Sequence, residues 1–143
     1  MLKNIPKIIS PELLKILDEM GHGDEIVIAD GNFPTVANAQ RLVRLDGHNV
    51  PEILKAVLKL FPLDASVKSP VGLMEVAPGD DVIPNIWEDF RRILNESDEA
   101  FEEFEFIERF EFYERAKKAF AIVATSELVL YANIILKKGV ITI

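Results

Sequence analysis

The sequence predicts a single α/β domain over residues 1–143, three layers deep (α/β/α), with a mixed β-sheet between helices. Three observations lead there. Short continuous apolar runs at 26–29 and 120–125 suit strands buried on both faces. Other segments space their apolar residues at helical intervals, as at Leu13, Ile16, Leu17 and Met20. The two kinds interleave along a chain of 143 residues with no repeat, low-complexity tract or linker, which is the pattern of one α/β unit.

Each element has local signals. Ser10-Pro11-Glu12 starts the first helix: Ser10 can cap, Pro11 suits the first helical position, and Glu12 favours the positive end of the helix dipole. Gly21 falls where a left-handed residue is expected to close that helix. The apolar run 26–29 is the first strand, and Asp30 leaves it into the turn Gly31-Asn32-Phe33-Pro34. Residues 36–40 favour neither helix nor strand. Residues 41–45 alternate loosely as a short strand before the turn Asp46-Gly47. Asn49 and Pro51 open a second helix with the stripe Ile53, Leu54, Val57, Leu58 and Phe61, ended by Pro62. Residues 64–69 read as loop and 71–76 as a strand stopped by Pro78-Gly79. Pro84 begins a third helix with Ile86, Trp87, Phe90, Ile93 and Leu94 inward. A strand at 104–107, a short helix at 112–119, a buried strand at 120–125 and a final strand at 131–136 complete the chain.

Composition narrows the function classes. A net charge of −8 and a pI near 4.8 argue against nucleic acid and anionic membranes as partners, since both need clustered Lys and Arg. The absence of Cys excludes disulfides, thiolate metal sites and a thiol nucleophile. The first residues lack the apolar core of a signal peptide, and no apolar run approaches the roughly 18 residues of a membrane span. A soluble, cytoplasmic protein is expected. The acidic stretch 95–105 reads first as a solvated loop or helix end. A metal site there is the weaker reading, because the run lacks the glycine-turn spacing of a calcium loop.

Few residues are placed for chemistry. His22 stands between two glycines, without the packed neighbours of a core histidine, and imidazole titrates near neutrality. It is either an acid–base group or a surface loop residue. His48 follows a turn and is expected at the surface. Asp30 ends an apolar strand, where open α/β sheets bind ligands, but it could equally close an Asx-turn over Gly31-Asn32. Arg109 sits between a strand and a helix and is either functional or ion-paired with an acidic neighbour. Tyr113 and Tyr131 are the only tyrosines, each a tethered core residue or a ligand-facing hydroxyl. Phosphate-binding loops, Gly-x-Gly-x-x-Gly, Gly-x-Ser-x-Gly and His-Glu-x-x-His are all missing. The reaction left open is cofactor-free proton transfer. His22 and Asp30 flank one strand, so roughly 15–20 Å separates them at about 3.3 Å per residue, too far for one small ligand unless loops fold back or another subunit contributes.

Several stretches taken together resemble a known family. They are Ile9-Ser10-Pro11-Glu12-Leu13-Leu14, Met20-Gly21-His22-Gly23-Asp24-Glu25, Asp30, and Arg109-Phe110-Glu111-Phe112-Tyr113-Glu114-Arg115-Ala116. Lys118-Ala119-Phe120-Ala121-Ile122-Val123 and Tyr131-Ala132-Asn133-Ile134-Ile135-Leu136-Lys137-Lys138-Gly139-Val140 complete the set. Their order and spacing are similar to the fucose mutarotase and ribose pyranase family of sugar isomerases. The resemblance implies that His22 is the proton donor, Asp30 a sugar-binding carboxylate, and Tyr131-Ala132-Asn133 the sugar-binding tripeptide. Arg109 stands where the family's mutarotases carry Arg and its pyranases carry His, and Tyr113 lies in the adjoining motif as a possible further contact. Ala132 is the pyranase form of the tripeptide, where mutarotases often have Gly. The implied activity is interconversion of the α and β anomers of L-fucose, with no metal or cofactor. Interconversion of the pyranose and furanose forms of D-ribose is the alternative, and a non-catalytic monosaccharide-binding or transport-accessory protein is a third. The resemblance also implies a homo-oligomer, often a decameric ring, with active sites at subunit boundaries.

Overall fold

The computed structural model describes residues 1–143. In chain order its elements are α1 (Pro11–Glu19), β1 (Glu25–Ala29), α2 (Thr35–Asn38), β2 (Leu42–Leu45), α3 (Val50–Val57), β3 (Val71–Met74), α4 (Ile86–Glu96), β4 (Glu105–Ile107), α5 (Arg109–Lys118), β5 (Ala121–Thr125) and β6 (Ile134–Lys137). The predicted caps form. Ser10 Oγ accepts the Leu13 N–H at 3.2 Å, and Asn49 and Glu52 make a reciprocal capping box on α3.

The strands form one six-stranded sheet in the order β2-β5-β1-β6-β3-β4. β1 runs parallel to β5, β5 to β2 and β3 to β4, whereas β6 is antiparallel to both β1 and β3. The carboxyl ends of five strands therefore emerge at the same end of the sheet as the start of β6. Alternation along the strands feeds two cores. Ile26, Ile28, Ala121, Val123, Ile134 and Leu136 pack with residues of α1, α3 and α4, including Leu13, Leu54 and Phe90. Val27, Ala29, Ile122 and Ile135 pack with Phe33, Phe112 and Ala116 on the opposite face. This is the three-layer arrangement expected from the buried runs, and each fully buried Leu, Ile or Phe contributes about 1.5–3 kcal/mol.

Several boundaries differ from expectation: α3 ends at Val57 rather than just before Pro62, β3 at Met74 rather than 76, and α4 begins at Ile86 rather than Pro84. Residues 35–38 form the short helix α2. The helix predicted from 112 begins at Arg109, because the Glu108 carboxylate accepts the Phe110 and Glu111 N–H groups at 2.9 and 3.0 Å. The last strand begins at Ile134 rather than Tyr131, because Tyr131 has φ 60°, which no strand residue adopts. Gly21 is not left-handed; Gly23 is, at φ 89°. The end of α1 is closed instead by Lys138, whose Nζ donates to the Leu17 and Met20 carbonyls at 2.6 and 2.5 Å. The acidic stretch 95–105 spans the end of α4, a loop and the start of β4, as a helix end and solvated loop should. No helix is long and apolar enough to cross a membrane.

Candidate functional site

The shared strand end brings together groups remote in sequence. Asp30 leaves β1 and Asn133 enters β6, and since these strands are neighbours the two side chains meet. The Asp30 N–H donates to Asn133 Oδ1 at 2.7 Å, and Asn133 Nδ2 donates to Asp30 Oδ2 at 3.1 Å. Asp30 Oδ1 also accepts the Asn32 N–H at 2.9 Å. The expected Asx-turn forms through Oδ1, while Oδ2 is turned to Asn133. Burial pushes the Asp30 carboxyl above the usual carboxylate range. Hydrogen bonds from the Asn32 and Phe33 N–H groups and from Asn133 oppose that shift, and the charge of Glu127 adds to it.

Tyr131 borders the same space. Its left-handed backbone costs about 1–2 kcal/mol, and three hydrogen bonds hold it. The Trp87 Nε1 donates to the Tyr131 carbonyl at 2.8 Å, the Ala77 N–H donates to the Tyr131 hydroxyl at 3.2 Å, and that hydroxyl donates to Asp80 Oδ2 at 2.6 Å. The last bond, to the ionised carboxylate, raises the phenol pKa and lowers that of Asp80. Arg109, the first residue of α5, donates from Nε to the Tyr113 hydroxyl one turn on, at 3.2 Å. Its guanidinium lies 5.6 Å from the Tyr113 ring centre and 5.5 Å from that of Phe110. Arg109 makes none of the chain's ion pairs, so the ion-pair reading of this residue is set aside.

Asp30, Phe33, Glu75, Asp80, Arg109, Tyr113, Tyr131 and Asn133 line a cleft of about 300 Å³, the lower end of the usual range for small-molecule sites. Ala132 is different. Its side chain is fully buried in the larger core and takes no part in the cleft lining. A second cavity, about 480 Å³, is bordered by α3, α4 and Ile141, with Lys55, Phe61 and Glu99 in its wall. It holds none of the sequence candidates. The smaller cleft is the better site, because a half-buried carboxyl, a cation and two phenols converge there.

His22 lies at the opposite end of the sheet. Its Nε2 is 3.2 Å from Asp64 Oδ1, and its side chain is 52% exposed. Asp64 is buried and also accepts from the Ser66 Oγ at 2.6 Å and the Ser66 N–H at 3.0 Å, which with His22 hold its carboxyl below the usual range. Both loops are clipped to the end of β6. The Gly23 N–H donates to the Lys138 carbonyl and the Lys138 N–H to the Asp24 carbonyl, both at 2.8 Å, and the Asp64 N–H donates to the Lys137 carbonyl at 3.0 Å. One chain therefore does not bring His22 to Asp30. His48 pairs with Glu52 at the surface.

Sequence reasoning passed over Asp64, Asp80, Trp87 and Glu127. Glu127 is buried, with its carboxylate accepting the Val50, Leu128 and Val129 N–H groups at 3.2, 3.0 and 3.2 Å. A signal existed for two of them: Asp64-Ala65-Ser66 and Asp80-Asp81-Val82 are Asx-type spacings in loops.

The sequence profile of the RbsD / FucU transport protein family matches residues 3–141. The chain belongs to this family. A fucose mutarotase of Mus musculus is 51% identical to it, over 96% of this chain and 94% of the relative. The crystal structure of the fucose mutarotase of Streptococcus pneumoniae in complex with L-fucose superposes with a TM-score of 0.94 at 54% identity, covering 99% of this chain and all of that one. Bacillus subtilis RbsD complexed with D-ribose is also similar, with a TM-score of 0.76 over 99% of this chain, but at 24% identity it shares the fold alone. Within the RbsD / FucU family, this chain is thus much nearer to fucose mutarotases than to that RbsD.

Proposed function

We propose that the protein is an isomerase that interconverts the α and β anomers of L-fucopyranose by acid–base ring opening and closure. The observation that carries this reading is 54% identity over 99% of the chain to a mutarotase crystallised with L-fucose. The polar cleft at the carboxyl ends of the strands supports it. Asp30, Arg109, Tyr131 and Asn133 would hold the sugar hydroxyls, with Tyr113 backing Arg109, and this supplies orientation. His22 would give a proton to the ring oxygen while water takes the proton of the anomeric hydroxyl. The C1–O5 bond opens, the C1–C2 bond rotates, and the ring recloses on the other face. Proton transfer of this kind contributes about 10²–10⁴-fold. Asp64 would orient the imidazole, as carboxylates do for working histidines.

Because His22 and the cleft lie at opposite ends of the sheet, the reading requires a homo-oligomer in which one copy's His22 completes another copy's cleft. Exposed Leu130 in the cleft lining, with exposed Leu128 and Val129 beside it in the chain and Phe110 next to Arg109, supports such a covering. A decameric ring with sites at its boundaries is the form we propose, in the cytoplasm.

The ribose pyranase reading keeps the Ala132 form of the tripeptide, but it is less supported, because the relatives at about 50% identity are fucose mutarotases. Saturation-transfer NMR on L-fucose and D-ribose tests both. Fast anomer exchange on L-fucose is expected; tight binding without faster exchange of either sugar would favour a non-catalytic binding protein.

A further inference from the structure

If Tyr131 meets the sugar, its hydroxyl arrives with its hydrogen bonds already assigned. The phenol proton goes to Asp80 Oδ2 at 2.6 Å, and one acceptor position takes the Ala77 N–H at 3.2 Å. A phenol has one proton, so what remains for the cleft is an oxygen that can only accept. Asp80 cannot relax this. Its Oδ1 takes the Val82 N–H at 3.0 Å, and an ionised carboxylate has nothing to donate. Of the charged groups around this pair, Asp30 and Glu75 are further acceptors, and Arg109 is the cation in the lining. Around the Tyr131 oxygen, the loop after β3 thus offers acceptors, and the donors of the cleft are Arg109 and the Asn133 amide.

We propose that Asp80 is a positioning residue that fixes the hydrogen-bond polarity of Tyr131, so that the phenol oxygen accepts from one hydroxyl of the monosaccharide. The assignment rests on the sugar-isomerase reading above. Specificity follows from it. The sugar must present a donor hydroxyl at that carbon, and an analogue with fluorine or hydrogen there binds poorly.

The test is Asp80→Asn, which keeps shape and reverses polarity. The Val82 N–H still needs an oxygen at the Oδ1 position. The new amide nitrogen therefore faces the Tyr131 oxygen and donates to it, driving the phenol proton toward the cleft. A donor then opposes the sugar hydroxyl. We expect KM for L-fucose to rise about tenfold or more, with a smaller change in kcat. In a Tyr131→Phe background, Asp80→Asn should add nothing, because its effect runs through the phenol. The phenol titration, read by ultraviolet absorbance with Tyr113→Phe removing the other tyrosine, should move to lower pH once the carboxylate is gone. An unchanged KM in Asp80→Asn, or an effect that persists in Tyr131→Phe, overturns the assignment. Wild-type protein inactive on both sugars would sink the isomerase reading instead, while the phenol titration would still decide the Asp80–Tyr131 pairing.

Discussion

Gly139→Ala links packing to the reaction through a single added methyl. Gly139 crosses the segment that carries Asp64, with its N–H donating to the Pro62 carbonyl at 2.8 Å. A Cβ built there stands 2.8 Å from both the Leu63 carbonyl carbon and Asp64 Cα, and nearer still to the Leu63 carbonyl oxygen. Ordinary contact begins at 3.4 Å, so the main chain at 63–64 must retreat by more than half an ångström. No flexible side chain is available to yield. Overpacking of this sort costs about 1–3 kcal/mol, and 2 kcal/mol lowers Tm by about 4–8 °C in a chain near this size. The displaced segment is the one that holds the carboxylate against His22, so anomer exchange should slow as well. Thermal unfolding by circular dichroism and saturation-transfer NMR on L-fucose measure the two effects. Gly21→Ala is the control: it adjoins His22, but its Cβ would meet only Asp24 Oδ2 at an ordinary 3.7 Å, so its stability should change by no more than about 0.5 kcal/mol. Were Gly139→Ala to melt and turn over as wild type does, the crossing would not be what positions Asp64.

Further perturbations address His22 and the cleft separately. His22→Ala removes a half-exposed side chain and should leave the circular dichroism spectrum unchanged while slowing exchange about 100-fold or more; an unchanged rate removes His22 from the mechanism. Asp30 sets a pH dependence whose sign is fixed. Its folded-state pKa is raised, so its contribution favours the fold below the ordinary carboxylate range and is lost as pH rises through the raised value. Denaturant melts should therefore show wild type losing stability relative to Asp30→Asn across that window. Removing the neighbouring charge with Glu127→Gln should shift the acid limb of kcat/KM to lower pH, and a limb that stays put would dissociate it from Asp30.

How much of this was legible depended on whether a residue's partner is local. The helix starts at Ser10 and Asn49 were readable because each cap bonds a group three residues on. The buried strands were readable because parallel pairing buries both faces. Gly21 misled because the group that closes α1 is Lys138, more than a hundred residues away. The start of β6 misled because Trp87 and Asp80 hold Tyr131 in a conformation its own neighbours do not signal. Asp30 could be read two ways; the turn forms through Oδ1, while Oδ2 is turned to Asn133. The distance between His22 and Asp30 followed from strand length alone; that Asp64 would be the histidine's partner did not, since it is 42 residues off.

The antiparallel β6 explains why His22 and the cleft lie at opposite ends of the sheet. It begins beside Asn133 and Tyr131, which wall the cleft, and ends at Lys137 and Lys138, which clip the His22 and Asp64 loops. A four-residue strand between β1 and β3 cannot shorten or bend enough to bring its ends together, because Ile134, Ile135 and Leu136 pair on both sides and Lys137 pairs with β1. Within one copy His22 and the cleft are thus held apart by the same strand that orders each. If both act in one reaction, they must come from different copies, and turnover per subunit becomes a function of association. Dilution of wild-type protein should then lower the specific rate of anomer exchange in parallel with the loss of oligomer seen by mass photometry. Mixing inactive His22→Ala with inactive Asp30→Asn should restore part of the activity, since some mixed boundaries carry an intact histidine facing an intact carboxylate. A rate per subunit independent of dilution into monomer, with no complementation on mixing, would mean that a single copy does the chemistry and that the His22 half of the site has been misassigned.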